Sequence, residues 1–149
     1  MACGIIWGVK LLDFTLFAIW VGLDRNRSGL GFSSIQTGSI CLVGFPLTAF
    51  LLVYLMRPAI NYRSSIVLNI CAVIFMLLVA SFPLYYFLPT SIENVFLFVV
   101  VHCSLKEVAS FIWLIVWSNL FSKLFPSRVL GKIYSWSFLI GHLILAVLT

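Results

Sequence analysis

Charged side chains are scarce in this chain of 149 residues: nine are Lys or Arg, four are Asp or Glu, and together they make up 9% of the sequence. A soluble domain has about 25% charged residues. Hydrophobic residues make up 63% of the chain, and its mean hydropathy is +1.19. So few polar groups cannot cover a surface exposed to water. The composition therefore excludes an ordinary soluble protein and indicates an integral, multi-pass membrane protein.

Residue clusters that would support catalysis or metal binding are also missing from the sequence. No CxxC motif or Cys/His cluster occurs among its four cysteines, so neither a metal site nor a disulfide framework is expected. No Ser/His, paired-Asp or metal-ligand set occurs at helical spacing, so we expect no catalytic residues, no cofactor and no enzymatic activity. The net charge of +5 comes from cations scattered between apolar runs, so nucleic acid is not an expected partner.

Five apolar stretches are long enough to span a bilayer, which takes about 20 helical residues. They lie at residues 3–23, 35–56, 65–88, 94–122 and 131–149. The sequence therefore predicts an all-α fold, with residues 1–149 forming a single transmembrane helical domain of about five spans. Ser33 with Gln36, and Thr90 with Glu93, are capping-box pairs that predict the starts of the second and fourth helices.

Prolines, turn residues and aromatic residues divide the chain further. Pro58 and Pro126 are predicted to mark the second and fourth connections, and the glycines and serines of residues 28–33 predict a turn in the first. Pro46 and Pro83 fall inside apolar spans and predict kinks. Tyrosines and tryptophans near the span ends, including Tyr85, are typical of an interfacial belt.

Basic residues predict the orientation of the spans. Five lie around the second and fourth connections, namely Arg57, Arg63, Lys123, Arg128 and Lys132, whereas the opposite side has only Arg25 and Arg27. The positive-inside rule then places the second and fourth connections and the N-terminus in the cytoplasm. Both the plasma membrane and a vacuolar or other organellar membrane fit this pattern.

Two groups of ionisable residues lie inside the apolar stretches: Lys10 with Asp13, and His102 with Lys106 and Glu107. A charge at the centre of a membrane helix costs about 2.5–3.5 kcal/mol, so such groups line a cavity, pair with each other, or do both. For Lys10 and Asp13, which share a helix face, a structural ion pair and a functional role stay equally open. The other three lie near the middle of the fourth stretch, where a proton or substrate pathway is favoured.

Several segments resemble one transporter family. Residues 28–38, SGLGFSSIQTG, resemble the GLGFSS-x-Q-x-G connection between the seventh and eighth helices of zinc-induced-facilitator-like, drug:proton-antiporter-like members of the major facilitator superfamily. Residues 126–131, PSRVLG, resemble the Pro-x-Arg-x-x-Gly sequence that leads into their eleventh helix. Lys106 matches a lysine of their tenth helix, and Pro58 matches a proline after their eighth, with Arg57 in place of the family's tyrosine. In order and spacing, the resemblance covers essentially the whole chain.

The resemblance implies a partial major-facilitator half-bundle, helices seven to eleven of the C-terminal half. Its inverted repeats imply that the first and fourth spans both line the central cavity. The expected function is a transmembrane secondary transporter, proton-coupled and with a small-molecule or ion substrate, or a fragment of one. The expected substrate or proton pathway consists of Asp13, Lys10, His102, Lys106 and Glu107.

The chain also departs from the family. It lacks the N-terminal half, the twelfth helix, and the acidic and glycine positions of the superfamily's signature loop. The expected partners are therefore the lipid bilayer, the substrate, protons, and a missing N-terminal half or further copies of the chain. The alternative is a truncated membrane protein that does not transport, or a structural membrane partner.

Overall fold

The structure is a computed structural model that describes residues 2–27, 29–87 and 92–148. These residues form helices and contain no strand, so the predicted all-α fold is confirmed. The α-helices are α1 Ala2–Gly22, α2 Ser34–Asn61, α3 Ser64–Ser81, α4 Ile92–Leu124 and α5 Ser127–Leu148. Two 3₁₀-helices, Arg25–Arg27 and Phe82–Phe87, lie between α1 and α2 and after α3.

Three helical segments in the described part of the chain are long and apolar enough to cross a membrane. They are Ser34–Asn61, Ser64–Tyr85 and Val95–Leu124. This result agrees with a multi-pass membrane protein. The full set of about five spans and the half-bundle arrangement stay predictions.

The connection between α1 and α2 is a compact turn, as its glycines predict. The Gly31 N–H donates to the Leu23 carbonyl at 2.8 Å, and the Phe32 N–H donates to the Val21 carbonyl at 3.0 Å. Gly31 has a φ of 72°, in the left-handed region that side chains disfavour. The turn buries Leu30, which is 1% exposed, so an apolar side chain anchors it.

The predicted capping box at the start of α2 is present. The Ser33 hydroxyl accepts from the Gln36 N–H at 3.2 Å, and the Ser33 N–H donates to Gln36 Oε1 at 2.9 Å. Two backbone donors that the first helical turn leaves without partners are thereby satisfied. The pair predicted at Thr90 and Glu93 includes a residue outside the described part of the chain, so it stays a prediction.

Pro58 does not mark the second connection, contrary to the sequence prediction. The α2 helix continues for one turn beyond it to Asn61, and the Tyr62 N–H donates to the Pro58 carbonyl at 3.2 Å. A proline removes one helical hydrogen bond and crowds the preceding turn, but neighbouring helices and local adjustments make this tolerable in a membrane helix. Pro126 does mark a connection, since it directly precedes α5 and its carbonyl accepts from the Val129 N–H at 2.9 Å.

Pro83 ends an α-helix, whereas the sequence predicts that it kinks a continuous one. Proline has no N–H, so the Val79 carbonyl lacks the donor that position 83 would supply in an α-helix. The N–H of Phe82 donates to the Val79 carbonyl instead, three residues back, and the chain continues as the 3₁₀-helix Phe82–Phe87. The change of helix type at this point is the feature that positions the candidate site.

The chain divides into two compact units, residues 21–120 and the two end segments, residues 1–20 with 121–149. Within residues 21–120, α3 and α4 share an apolar core. It comprises the buried side chains of Val67, Cys71, Val108, Ile112 and Val116, with Leu51, Leu52 and Ala59 of α2 packed against it. The three α4 residues recur every fourth position, so one stripe of that helix faces the core.

Gly44 allows α2 to approach α4 closely. A Cβ atom built on Gly44 would lie 3.1 Å from Ser104 Oγ, and Ser104 is 1% exposed. The Ser104 hydroxyl lies 2.8 Å from the Val100 carbonyl in its own helix and 3.2 Å from the Gly44 carbonyl across the interface. Small residues permit such contacts between membrane helices, where packing and hydrogen bonds drive association.

We expect Gly44→Ala to be less stable than Gly38→Ala, a matched substitution in the same helix. Nothing lies within 4 Å of a Cβ at Gly38, so alanine there should stabilise the helix by about 0.5–1 kcal/mol. At Gly44 the new methyl group crowds Ser104 Oγ, which should offset that gain by about 1 kcal/mol or more. Thermal unfolding of the purified variants in detergent measures the difference.

The double variant Gly44→Ala with Ser104→Ala is the control for this contact. Without the Ser104 hydroxyl there is less crowding at position 44. The loss of stability caused by Gly44→Ala should therefore be smaller in the Ser104→Ala background than in the unaltered chain. Equal unfolding temperatures for Gly44→Ala and Gly38→Ala would contradict the close approach of α2 and α4.

Candidate functional site

His102 and Lys106 lie one helical turn apart on α4, and both are buried. Their exposed fractions are 7% and 3%. Lys106 lies 11 residues from Val95, which places it about 16 Å along the segment that could span a membrane. The buried polar or charged residues of the described chain are Thr48, His102, Ser104 and Lys106, so most of the interior polarity belongs to one helix.

His102 contacts the chain where Pro83 interrupts α3. Because the Phe82 N–H donates to Val79, the Leu78 carbonyl is available to other donors. The Ser81 hydroxyl donates to it at 2.9 Å, and His102 Nε2 lies 2.8 Å from it. The proline thus leaves a backbone acceptor without its helical donor, and two side chains donate to it instead, Ser81 from the same helix and His102 from α4.

The partners of His102 determine its tautomer. A carbonyl oxygen can only accept, so Nε2 carries a proton and donates it to the Leu78 carbonyl. In the neutral imidazole, Nδ1 is then an acceptor, and the Tyr85 hydroxyl, 2.7 Å away, donates to it. The result is a directed chain of hydrogen bonds from Tyr85 through the imidazole to the Leu78 carbonyl.

Phe82 contacts both basic side chains of the site. Its ring centroid lies 4.4 Å from that of His102 and 5.0 Å from Lys106 Nζ. An ammonium group within about 6 Å of an aromatic centroid is attracted to the ring, more strongly when water is excluded. Phe82 is itself 7% exposed, so this contact lies where little solvent reaches.

The other predicted site residues are half-buried. Glu107 is half-buried on α4, about 100° around the helix from Lys106. Lys10 and Asp13 are half-buried, three residues apart on α1, in the unit formed by the end segments. The structure therefore brings His102 and Lys106 into one site with Phe82, and places Lys10 and Asp13 in the other compact unit.

Sequence reasoning missed three groups of this site: the Tyr85 hydroxyl, the Phe82 ring and the Leu78 carbonyl. Tyr85 is half-buried and hydrogen bonded to His102, so it is part of the site as well as close to a span end. The available signal was Pro83, because a proline inside a membrane span leaves a nearby carbonyl without its helical donor.

The comparisons with known proteins identify no relative. No protein-family model matches the chain, and no curated protein or solved structure matches it. Among the side chains that the structure describes, no group of three or more His, Cys, Asp or Glu residues could hold a metal ion. The resemblance to major facilitator transporters stays a prediction.

We expect Tyr85→Phe to destabilise the protein by about 1–3 kcal/mol, because it leaves the buried His102 Nδ1 without its donor. Tyr54→Phe is the matched control, since Tyr54 is 73% exposed and should change stability by about 0.5 kcal/mol or less. Thermal unfolding in the same detergent compares them. Equal effects of the two substitutions would show that the Tyr85–His102 hydrogen bond contributes nothing to stability.

Proposed function

We propose that the chain functions as a transmembrane secondary transporter, or as part of one, that moves a small molecule or ion in exchange with protons. The observation that carries this proposal is the burial of Lys106 and His102 in α4, a helix long and apolar enough to span a bilayer. Ionisable groups at such depth are costly, and the commonest reason for their presence is a pathway for substrate or protons.

The chemistry of His102 supports the proton part of the proposal. Its ring has one protonated nitrogen and one acceptor nitrogen, each with a hydrogen-bond partner. An imidazole can accept a proton on one nitrogen and release the proton on the other. The Leu78 carbonyl cannot take up the Nε2 proton, so in this proposal His102 passes a proton on only after its hydrogen bond to Leu78 has broken. Glu107, half-buried on the same helix, supplies a second group that can exchange a proton.

The resemblance of the loop segments to drug:proton-antiporter-like transporters supports the same function. Lys106 matches a lysine of the family's tenth helix. If the resemblance holds, the first span, which carries Lys10 and Asp13, and the fourth span both line the central cavity. In this proposal, substrate and protons use the same polar groups in turn. Alternating access would come from movement of helix bundles around them.

A structural role without transport is the alternative, and one observation favours it. Both ring nitrogens of His102 have a protein partner, as expected of a histidine that holds helices together. In that case the chain is a non-transporting membrane protein or a structural partner of another one. The two functions predict different effects of substituting an ionisable residue: transport predicts loss of flux, whereas a structural role predicts loss of expression.

We expect Glu107→Gln and Lys106→Met to lower proton-coupled flux while leaving expression normal. We expect each variant to lose about tenfold in coupled flux, which corresponds to the loss of an interaction of about 1.4 kcal/mol. Flux is measured with the complete gene product in liposomes that enclose a pH-sensitive dye, under an imposed pH gradient. Small organic cations, organic anions and zinc ions are added one at a time.

Asp24→Asn, which alters an exposed carboxylate, is the control and should leave flux unchanged. Loss of expression in the Glu107 and Lys106 variants, without a change in flux per folded molecule, would support the structural role. Absence of coupled flux for every compound with the complete gene product would contradict the transport proposal.

A further inference from the structure

The hydrogen bonds of His102 reach both sides of the break in α3. Leu78, whose carbonyl accepts from Nε2, lies five residues before Pro83, and Tyr85, whose hydroxyl donates to Nδ1, lies two residues after it. One side chain of α4 thus joins the end of an α-helix to the 3₁₀-helix that follows. We call this pair of hydrogen bonds the His102 bridge.

We propose that the junction of α3 with the 3₁₀-helix Phe82–Phe87 is a hinge that the His102 bridge holds closed. A 3₁₀-helix has poorer hydrogen-bond geometry than an α-helix, so its own backbone hydrogen bonds restrain it less. The backbone alone secures the junction weakly, because Pro83 donates no hydrogen bond and the Phe82 N–H reaches only three residues back. The hydrogen bonds from α4 supply the additional restraint.

The contacts around the junction indicate which part moves when the bridge opens. The side chains of Leu84 and Phe87 are 63% and 75% exposed, so little protein packs against that face of the 3₁₀-helix. Phe82 packs on the imidazole, and Tyr85 meets it edge to face with centroids 5.3 Å apart. Loss of the bridge therefore releases the part of the 3₁₀-helix after Pro83, whereas Phe82 stays buried beside Lys106 and the core around Val67 and Cys71 keeps α3 packed on α4. The hinge does not depend on the transport proposal.

The experiment tests whether His102 acts through the break at Pro83. Hydrogen exchange of backbone amides in residues 79–87 is measured on the full chain in lipid nanodiscs, with residues 47–56 of α2 as the internal reference. We expect His102→Leu to accelerate exchange in residues 79–87 by about tenfold and to leave the reference unchanged, as for a local opening.

Pro83→Ala provides the decisive background, because alanine restores the missing N–H and allows α3 to continue as an α-helix. The Phe82 N–H can then return to the Leu78 carbonyl, and His102 is no longer needed there. We expect His102→Leu to accelerate exchange by less than about twofold in this background. Equal acceleration with and without Pro83, equal acceleration in the reference segment, or no acceleration at all would each overturn the proposal.

Two further variants test the two hydrogen bonds of the His102 bridge one at a time. They also provide the test if His102→Leu does not fold. The amide nitrogen of glutamine lies as many bonds from Cβ as Nε2, so His102→Gln keeps a donor for Leu78. The amide oxygen of asparagine lies as far out as Nδ1, so His102→Asn keeps an acceptor for Tyr85. We expect Tyr85→Phe to accelerate exchange further in the asparagine variant and not in the glutamine variant. The reverse pattern would overturn the bridge.

Discussion

A bilayer has no water to satisfy backbone polar groups, so every carbonyl within it needs a partner from the protein. In this chain the requirement applies at Pro83, which cannot donate to the carbonyl one helical turn before it. The adjustment changes the helix type, moves the Phe82 N–H to Val79 and exposes the Leu78 carbonyl. The hydrogen bond from His102 Nε2 to the Leu78 carbonyl, and with it the tautomer of the imidazole, follows from that missing N–H.

The α4 helix combines two kinds of contact along its length. Its earlier turns hold polar side chains: Ser104 meets Gly44 of α2, and His102 meets the broken end of α3. Its later turns present an apolar stripe that includes Ile112 and packs on α3. The apolar half packs against neighbouring helices through buried apolar surface, and the polar half contacts them through hydrogen bonds of individual side chains. The buried ionisable side chains of α4, His102 and Lys106, both belong to the polar half.

The sequence predicts those features that depend on neighbouring residues. The capping box of Ser33 and Gln36 and the turn around Gly31 need only a few residues to form, and both are present. The site was only partly predictable. A histidine in an apolar run indicates a buried polar group, but its partners, Leu78 and Tyr85, lie 24 and 17 residues away along the chain. Their identity depends on how α3 packs on α4, which no local pattern specifies.

The acceptor at the centre of the site is the backbone carbonyl of Leu78, and this determines which positions of the site can be substituted. Any apolar residue at position 78 supplies the same carbonyl, so the Leu78 side chain can vary without loss of the hydrogen bond. Pro83 and His102 have less freedom, because the proline leads to the loss of the helical donor to this carbonyl and His102 supplies one of the two side-chain donors that replace it, the other being the Ser81 hydroxyl. A lineage that replaced the proline would remove the demand on the histidine. We therefore expect substitutions at positions 83 and 102 to occur together in related sequences, whereas the side chain at position 78 can vary independently.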